Sequence, residues 1–268
     1  MTGTITGLPD FWDTLRRREC RLLALDYDGT LAPFRVERMN ATPLPGVVGA
    51  LERIAARSDT RVAVVSGRPI EDLRALLTVP DGLGIAWVGS HGFEGQRADG
   101  ERWTRELSGA QARGLEQARA VVESLGHGSK LEPKSSALAF HTRGIDPDVA
   151  RGLQETVTSR WSPLCAGDEL HLHAFDGGVE LRVTTADKGR ALRELLTEPP
   201  SETFVVYVGD DVTDEDAFAV AEEAGGVGIR VGGGDRPTRA QGTLRDCGAV
   251  LEMLRRWADE PRMAEVRT

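Results

Sequence analysis

Two groups of aspartates stand directly after apolar segments of this 268-residue chain. Asp26 and Asp28 follow RLLAL, and Asp210, Asp211 and Asp214 follow TFVVYVG. Like charges that crowd together cost free energy unless a cation or a proton compensates them. Mg²⁺ suits such a site, because it binds a few carboxylate oxygens and leaves room for water and a substrate phosphate. The aspartates therefore predict a Mg²⁺ site at the ends of two strands.

Ser66 and Lys188 add groups that would hold a phosphate. Ser66 follows the apolar segment RVAVV and precedes Gly67 and Arg68, and Lys188 stands at the start of a predicted helix. A hydroxyl, an ammonium and a cation around a carboxylate describe a phosphate site with an internal nucleophile. Taken singly, Asp-x-Asp is usually a loop cap and Ser-Gly-Arg is usually a turn. Their joint occurrence, each after a buried strand, favours chemistry.

Alternating strands and helices would bring these residues together. Strands are predicted at 21–25, 61–65, 85–88, 203–208 and 226–231, and helices at 46–57, 69–77, 187–196, 213–224 and 248–258. This alternation indicates an α/β fold with a parallel sheet and crossover helices. Ligand sites in such sheets lie beyond the carboxyl ends of the strands. The Gly-rich segment 230–240 is interpreted as a loop, not as a phosphate cradle.

The pattern changes between residues 101 and 183. Helices are predicted at 108–125 and 146–161, an alternating strand at 136–143, and a hairpin at 169–183 that turns at Asp-Gly-Gly. Two helices and several alternating strands suggest an α+β layer separate from the parallel sheet. We therefore predict a catalytic core of residues 1–100 and 184–268 with an inserted α+β domain of residues 101–183.

Composition restricts the partners and the location of the protein. The net charge of −9 disfavours nucleic acid, whose binding needs a basic surface. The apolar runs are too short to span a bilayer and the N-terminal segment lacks an apolar signal core, so we expect a cytoplasmic protein without membrane partners. Three widely spaced cysteines are interpreted as ordinary thiols. We expect a monomer.

The chain resembles the haloacid dehalogenase-like phosphatases. The segments DYDGT (26–30), VVSGR (64–68), Lys188 and GDDVTDE (209–215) are similar to the four motifs of that family and frame nearly the whole chain. The resemblance implies a Rossmann-like parallel-sheet core with an inserted α+β cap domain that determines substrate specificity. It also implies that Asp26 attacks phosphorus to form an aspartyl-phosphate, while Asp28 protonates the leaving oxygen and then activates water.

The same resemblance implies roles for the remaining core residues. Ser66 and Lys188 would hold the transferring phosphoryl group. Asp210 would bind Mg²⁺ together with Asp26 and the backbone carbonyl of Asp28. The two further aspartates, Asp211 and Asp214, would ligate or support the metal.

Within this superfamily, the chain is most similar to the trehalose-6-phosphate phosphatases. The matching segments are LDYDGTLAP, GSHGFE (89–94), LEPKSSALAFHTR (131–143), VELRV (179–183) and DKGRAL (187–192). The resemblance implies substrate contacts, with Glu180 the best candidate for sugar hydroxyls. The full set is Gly67, Arg68, His91, Glu132, Lys134, His141, Arg143, Glu180 and Arg182.

Two residues depart from the pattern of this family. Thr142 stands where the family commonly has tyrosine, and Val183 stands where it commonly has proline. Packed or solvated side chains are the alternative interpretation of His141, His171 and His173. The last two share one face of a strand, but without a third ligand they are not assigned to a metal.

The leading functional prediction is Mg²⁺-dependent hydrolysis of trehalose 6-phosphate to trehalose and phosphate. The departures keep another substrate open, such as sucrose 6-phosphate, glucosylglycerol phosphate or a trehalose-like pseudo-disaccharide phosphate. A non-catalytic sugar-phosphate binding or regulatory protein is the alternative from a different class. Asp26, Asp28, Lys188 and Asp210 argue against it, because a binding module needs neither a nucleophile nor an acid.

Overall fold

The structure, a computed structural model, describes residues 4–261 except residues 36, 176, 199 and 201. These residues form two compact units. The first unit comprises the described residues up to Trp103 and from Asp187 onward, and the second unit comprises Thr104–Ala186. The inserted domain predicted at residues 101–183 begins and ends three residues before this second unit. At the first boundary, Arg102–Thr104 forms an edge strand of the eight-stranded sheet that the sequence pattern did not reveal.

The described residues form twelve strands and eight α-helices. The strands are β1 (Arg21–Leu25), β2 (Thr60–Val65), β3 (Ile85–Gly89), β4 (Glu94–Gln96), β5 (Arg102–Thr104), β6 (Leu131–Lys134), β7 (Ala137–His141), β8 (Leu170–Phe175), β9 (Gly178–Val183), β10 (Phe204–Gly209), β11 (Val227–Val231) and β12 (Gly242–Leu244). The helices are α1 (Phe11–Arg16), α2 (Val47–Ala55), α3 (Ile70–Leu76), α4 (Gly109–Ser124), α5 (Pro147–Trp161), α6 (Lys188–Thr197), α7 (Glu215–Glu223) and α8 (Cys247–Asp259). None of these helices has both the length and the apolar composition needed to cross a membrane.

The first unit is built on an eight-stranded sheet with the order β12-β11-β10-β1-β2-β3-β4-β5. The six strands from β12 to β3 are parallel, and β4 runs antiparallel to β3. In the centre of the sheet, Leu25 of β1 pairs with Val208 of β10 and with Val64 of β2. The carboxyl ends of these three strands therefore lie side by side, which confirms the predicted parallel sheet.

Alternate residues of β1 enter two different cores. Leu23 and Leu25 pack in a core that includes apolar side chains of α1, α2, α3 and α8. Leu22 and Ala24 pack in a second core with side chains of α6 and α7. Helices thus cover both faces of the sheet, and all five residues of β1 are buried. This burial explains why the strand reads as a continuous apolar run.

The second unit has a four-stranded antiparallel sheet with the order β6-β7-β9-β8, together with α4 and α5. The buried indole Nε1 of Trp161 donates to the carbonyl oxygen of Ala118 at 3.0 Å and joins the two helices. Ser108 and Gln111 form a capping box at the start of α4. The predicted hairpin is present as β8 and β9, and its turn residue Asp176 lies outside the described residues.

Candidate active site

A buried cluster of three aspartates lies at the carboxyl ends of β1 and β10. One carboxylate oxygen from each of Asp26, Asp210 and Asp214 lies within 4.8 Å of the other two. Asp26 is 3% exposed and Asp214 is 0% exposed. The ammonium Nζ of Lys188 donates to Asp26 Oδ1 at 2.9 Å and to Asp214 Oδ1 at 2.7 Å. The Lys188 ammonium therefore bridges two of the three carboxylates.

Local structure fixes each member of this cluster. The N–H of Asp26 donates to the carbonyl oxygen of Val208 at 2.8 Å and continues the pairing of β1 with β10. Lys188 is the first residue of α6, whose N-cap Asp187 accepts a hydrogen bond from the N–H of Arg190 at 2.6 Å. Asp214 ends a 3₁₀ turn, Val212–Asp214, that leads into α7.

The charges of the cluster shift the pKa values of its members. Burial raises the pKa of Asp26 well above its usual value; the Lys188 ammonium opposes this shift, and Asp214 and Asp210 add to it. Burial and the charge of Asp214 raise the pKa of Asp210 to about 7. Burial alone would lower the pKa of Lys188, but Asp214 and Asp26 outweigh it and raise that pKa. The site therefore has more negative charge than one lysine compensates.

The cluster fits a hard divalent cation such as Mg²⁺. Asp210 Oδ1 is buried, and it has no hydrogen-bond partner among the residues that the structure describes. Gly29, at φ +71°, lets the backbone approach this carboxylate, since a Cβ at residue 29 would collide with it. Excess negative charge and an unpaired carboxylate oxygen are the properties that a cation would satisfy. Asp26 and Asp210 are the side chains that would hold it.

Asp214 is engaged differently from Asp210. Its Oδ1 accepts hydrogen bonds from Lys188 and from the hydroxyl of Tyr207, and its Oδ2 accepts the N–H of Asp211 at 2.8 Å. A Cβ at residue 209 would collide with the Asp214 carboxylate, so Gly209 permits its position. Both oxygens of Asp214 thus bind protein donors, which suits a residue that supports the site.

The side chains of Asp28 and Asp211 are not part of the cluster. Both oxygens of Asp28 accept from the guanidinium of Arg68, Oδ2 from Nε at 2.6 Å and Oδ1 from Nη2 at 2.7 Å. Asp211 Oδ1 instead accepts the N–H of Val212 at 2.7 Å and caps the 3₁₀ turn. The sequence assigned Arg68 to the substrate and did not predict that it pairs with Asp28.

Ser66 and its neighbours lie at the same end of the sheet, after β2. Ser66 is 1% exposed, and its Oγ accepts the N–H of Arg68 at 3.2 Å. The N–H of His91 donates to the carbonyl oxygen of Ser66 at 2.9 Å. The ring of His91 lies against Gly67, where a Cβ would collide with its Nε2. His91 itself has φ +57°, a left-handed conformation that is unusual for a histidine.

The remaining predicted residues belong to the second unit, where one side of its sheet is polar. Register places Glu180 opposite Ala139 and His173, and Arg182 opposite Ala137 and His171. We call this side, with its charged and imidazole groups, the polar face. It carries Glu132, Lys134, His141, His171, His173, Glu180 and Arg182.

Ion pairs connect the side chains of the polar face. Lys134 Nζ donates to Glu180 Oε1 at 2.7 Å, and Arg182 Nε donates to Glu180 Oε2 at 3.0 Å. Burial alone would raise the pKa of Glu180, but Arg182 and Lys134 lower it to about 2. His141 Nε2 lies 2.7 Å from Glu132 Oε2.

Three further residues of the second unit complete this comparison with the sequence. Arg143 is exposed after β7, with its side chain against Gly177. His171 and His173 belong to no group of three or more metal-binding side chains among the described residues. The structure thus brings five of the six predicted sugar contacts of this unit onto the polar face.

The two residues that depart from the family pattern do not lie on the polar face. Val183 is 0% exposed and follows Val179 and Leu181 on the apolar side of β9. Thr142 is buried, and its Oγ1 accepts a hydrogen bond from Nε2 of Gln154 in α5 at 2.6 Å. Both departures therefore concern the packing of the sheet against its helices.

Sequence reasoning missed two residues that contact the aspartate cluster. The hydroxyl of Tyr207 donates to Asp214 Oδ1 at 2.8 Å, and Arg236 Nη2 donates to the carbonyl oxygen of Asp210 at 3.1 Å. Tyr207 stands within the apolar run FVVYV, where an aromatic residue suggests core packing. The available signal was a tyrosine two residues before Gly-Asp-Asp. Arg236 belongs to the segment interpreted as a loop.

Comparison with known protein sequences gives a match over most of the chain. The sequence model of the family described as trehalose-phosphatase matches residues 24–246. The trehalose-phosphate phosphatase of Mycobacterium marinum is 35% identical over 248 residues, which cover 88% of this chain and 60% of that protein. The chain thus spans about 60% of the length of this curated relative.

Solved structures share the fold. The C-terminal domain of Candida albicans trehalose-6-phosphate phosphatase superimposes with a TM-score of 0.81 at 22% identity, covering 97% of this chain and 99% of that chain. A haloacid dehalogenase-like hydrolase from Bacteroides thetaiotaomicron gives a TM-score of 0.62 at 16% identity, covering 88% of this chain and 99% of that chain. At these identities the likeness concerns the fold alone, and it confirms the predicted haloacid dehalogenase-like α/β fold.

Proposed function

The chain belongs to the trehalose-phosphatase family, and on this premise we propose that it is a Mg²⁺-dependent hydrolase of trehalose 6-phosphate. The products would be trehalose and inorganic phosphate. The observation that carries the proposal is the buried carboxylate of Asp26, which lies in a cluster with Asp210 and accepts a hydrogen bond from Lys188. Lys188 and a bound cation would favour the ionised form of Asp26. An ionised aspartate beside them is suited to nucleophilic attack on a phosphate ester.

The residues at the strand ends would carry out two displacements. In the first, Asp26 attacks phosphorus, the bond from phosphorus to the sugar oxygen breaks, and Asp28 gives its proton to that oxygen. In the second, Asp28 takes a proton from water, which attacks the aspartyl-phosphate and releases phosphate and Asp26. Lys188 and Ser66 would hold the phosphoryl oxygens throughout. Bound Mg²⁺ would neutralise charge on the phosphoryl group.

The proton transfer requires Asp28 to leave part of its present environment. Its two oxygens are bound by Arg68 in a bidentate pair. A carboxyl group that is to donate a proton must free one oxygen from such a pair, because the guanidinium N–H groups are themselves donors. We propose that Asp28 releases at least one bond to Arg68, takes a proton from solvent on the freed oxygen, and gives that proton to the sugar oxygen during the first displacement.

The polar face of the second unit is our proposed sugar-binding surface. Its carboxylates and cations, Glu132, Lys134, Glu180 and Arg182, present the acceptors and donors that sugar hydroxyls need. Exposed Arg143 beside β7 and half-buried His141 would extend this surface. Because Thr142 and Val183 lie elsewhere, their departure from the family pattern leaves the polar face unchanged. This supports trehalose 6-phosphate over the other sugar phosphates.

The test is phosphate release at neutral pH with Mg²⁺. We would compare kcat/KM for trehalose 6-phosphate, sucrose 6-phosphate, glucosylglycerol phosphate and glucose 6-phosphate, with EDTA as the metal-free control. We expect a strong preference for trehalose 6-phosphate that EDTA abolishes. Uniformly poor but Mg²⁺-dependent turnover would indicate another sugar phosphate. No phosphate release from any of these esters would support the binding or regulatory alternative.

Asp26→Asn tests the assignment of Asp26 as the nucleophile. The amide oxygen can still accept the hydrogen bond from Lys188, so we expect folding to persist and turnover to disappear. Residual activity above background would remove Asp26 from the role of nucleophile. A cytoplasmic location and a monomeric state remain predictions, which cell fractionation and light scattering would test.

A further inference from the structure

A chain of short hydrogen bonds leads from the hydroxyl of Tyr207 to Asp26. Tyr207 Oη donates to Asp214 Oδ1 at 2.8 Å, Lys188 Nζ donates to the same oxygen at 2.7 Å, and Lys188 Nζ also donates to Asp26 Oδ1 at 2.9 Å. Each of these four residues is at most 3% exposed. Their geometry is therefore set by one another and not by solvent.

Tyr207 is the rigid end of this hydrogen-bond chain. It lies in the middle of β10, paired with Ala24 of β1 on one side and with Gly228 of β11 on the other. Its ring meets the ring of Phe218 edge-on at a centroid distance of 5.7 Å. A phenol held by two neighbouring strands and by an aromatic partner places its hydroxyl at a fixed point.

The side chain of Lys188 is the adjustable part of this hydrogen-bond chain. Its backbone is fixed at the first position of α6, but four side-chain carbons separate the ammonium from that backbone. The two carboxylates that bind the ammonium therefore decide where it lies. Asp214 can direct it only if Asp214 is itself held, and the donors that hold Asp214 are the Tyr207 hydroxyl and the N–H of Asp211.

We infer that Tyr207 is a positioning residue, which acts through Asp214 to hold the Lys188 ammonium beside Asp26. Removal of the hydroxyl would leave Asp214 Oδ1 with Lys188 as its remaining donor among the bonds described above. The carboxylate would then turn, and the ammonium would move with it. The consequence for catalysis rests on the proposed function, whereas the consequence for the lysine does not.

The sequence supplies a matched pair of variants, because the chain has two tyrosines. Tyr207→Phe keeps the ring against Phe218 and removes only the hydroxyl. Tyr27→Phe removes a second buried hydroxyl, which donates to the carbonyl oxygen of Ala41 at 2.7 Å. Tyr27 adjoins Asp26 in sequence, but its hydroxyl bonds outside the aspartate cluster. Both variants lose one buried hydroxyl and its hydrogen bond, so Tyr27→Phe controls for the loss of a buried hydroxyl as such.

The primary readout is the side-chain ammonium of Lys188, observed by NMR. The chain has only three lysines, at positions 130, 134 and 188, so ¹⁵N-lysine labelling gives three side-chain signals. Lys130→Arg and Lys134→Arg assign two of them and leave the third to Lys188.

In Tyr207→Phe we expect a shifted Lys188 signal with hydrogen exchange about tenfold faster, because the buried bonds that protect it are weakened. Tyr27→Phe should keep the wild-type signal. An unchanged Lys188 signal in Tyr207→Phe, or an equal change in Tyr27→Phe, would overturn the inference.

The second readout is turnover. We expect kcat of Tyr207→Phe to fall about tenfold on trehalose 6-phosphate and on p-nitrophenyl phosphate alike, as one lost hydrogen bond to a charged group would cause. KM should change less than kcat, because a displaced ammonium weakens the transition state most. Normal kcat, or a lower kcat with an undisturbed lysine signal, contradicts the inference. A changed lysine signal in a protein whose wild type releases no phosphate supports the inference and refutes the proposed function.

Discussion

Asp210 is a residue whose ionisation works against folding when no cation is bound. Its pKa is raised to about 7, above that of an ordinary aspartate, so the folded state favours its protonated form. The stability linked to this proton is complete below about pH 4 and is lost as the pH rises towards 7. In EDTA we therefore expect Asp210→Asn to raise the free energy of unfolding by about 1–2 kcal/mol at pH 8, and by less at pH 5. Thermal unfolding of both proteins at the two pH values measures this difference. An equal effect at both values would contradict it.

The raised pKa of Asp210 also determines how we expect Mg²⁺ to affect stability. Mg²⁺ should raise the Tm of the wild-type protein more at pH 8 than at pH 5, because protons compete for the Asp210 carboxylate at the lower pH. Asp210→Asn should lose most of this increase. Asp211→Asn is the control, since Asp211 caps a turn and lies outside the cluster. If both variants lose the Mg²⁺ effect, Asp211 belongs to the metal site after all.

Gly29 is a second residue with a testable requirement. It has φ +71°, and a Cβ there would collide with the Asp210 carboxylate. Gly84 has a similar φ of +73°, but a Cβ there would meet nothing within 4 Å. We expect Gly29→Ala and Gly84→Ala each to cost about 1 kcal/mol of stability through backbone strain. Only Gly29→Ala should also weaken Mg²⁺ binding and turnover, by at least about tenfold. Calorimetry and phosphate release distinguish the two variants.

At the scale of elements, the start of α6 links helix stability to the site. Asp187 caps the helix that begins with Lys188, as Asp146 caps α5 in the second unit. Replacing either aspartate by alanine should reduce stability by about 1 kcal/mol. Asp187→Ala should in addition lower kcat on p-nitrophenyl phosphate, because the first turn of α6 carries the lysine. Asp146→Ala should leave that kcat unchanged. Equal kinetic effects would show that the loss is one of general stability.

The elements that the sequence predicted are those in which apolar residues recur with a clear helical or strand spacing. The central strands and the long helices α4, α5 and α8 were predicted within one or two residues. The sequence missed α1, β4, β5, β6 and β12, which have three to six residues each and so show too little of any period. Pro133 further concealed β6, since proline is rare inside strands. Pro69, predicted to be the first residue of α3, instead stands at its N-cap.

At the scale of the whole molecule, we propose that chemistry and sugar recognition reside in different units. Glu180→Gln on the polar face should lower kcat/KM for trehalose 6-phosphate at least about tenfold, because it weakens buried charged hydrogen bonds. Turnover of p-nitrophenyl phosphate, which has no sugar, should change less than about twofold. Glu155→Gln makes the same charge change on the exposed side of α5 and should affect neither substrate. Equal losses on both substrates would sink the division.

The aspartate cluster could be predicted because Asp26 and Asp210 directly follow strands and Lys188 begins a helix, and these element ends follow from local sequence. Asp26, Asp210, Asp214 and Lys188 meet as the order of elements requires. The pairing of Arg68 with Asp28 depends on side-chain conformations that no periodicity encodes. Tyr207 was hidden for another reason, since a tyrosine in an apolar strand satisfies the packing pattern whatever its hydroxyl does.

The order of elements also has a consequence for the folding of the chain during synthesis. The second unit is one continuous stretch, Thr104–Ala186, whereas β1 must wait for β10, whose paired residues lie about 180 positions later. On the ribosome, the polar face could therefore form while the sheet of the first unit still lacks its central neighbour. Asp26 would emerge first among the charged residues of the cluster, and Asp214 last. Under the proposed division between the two units, a nascent chain would thus acquire the means to recognise its substrate before the means to transform it.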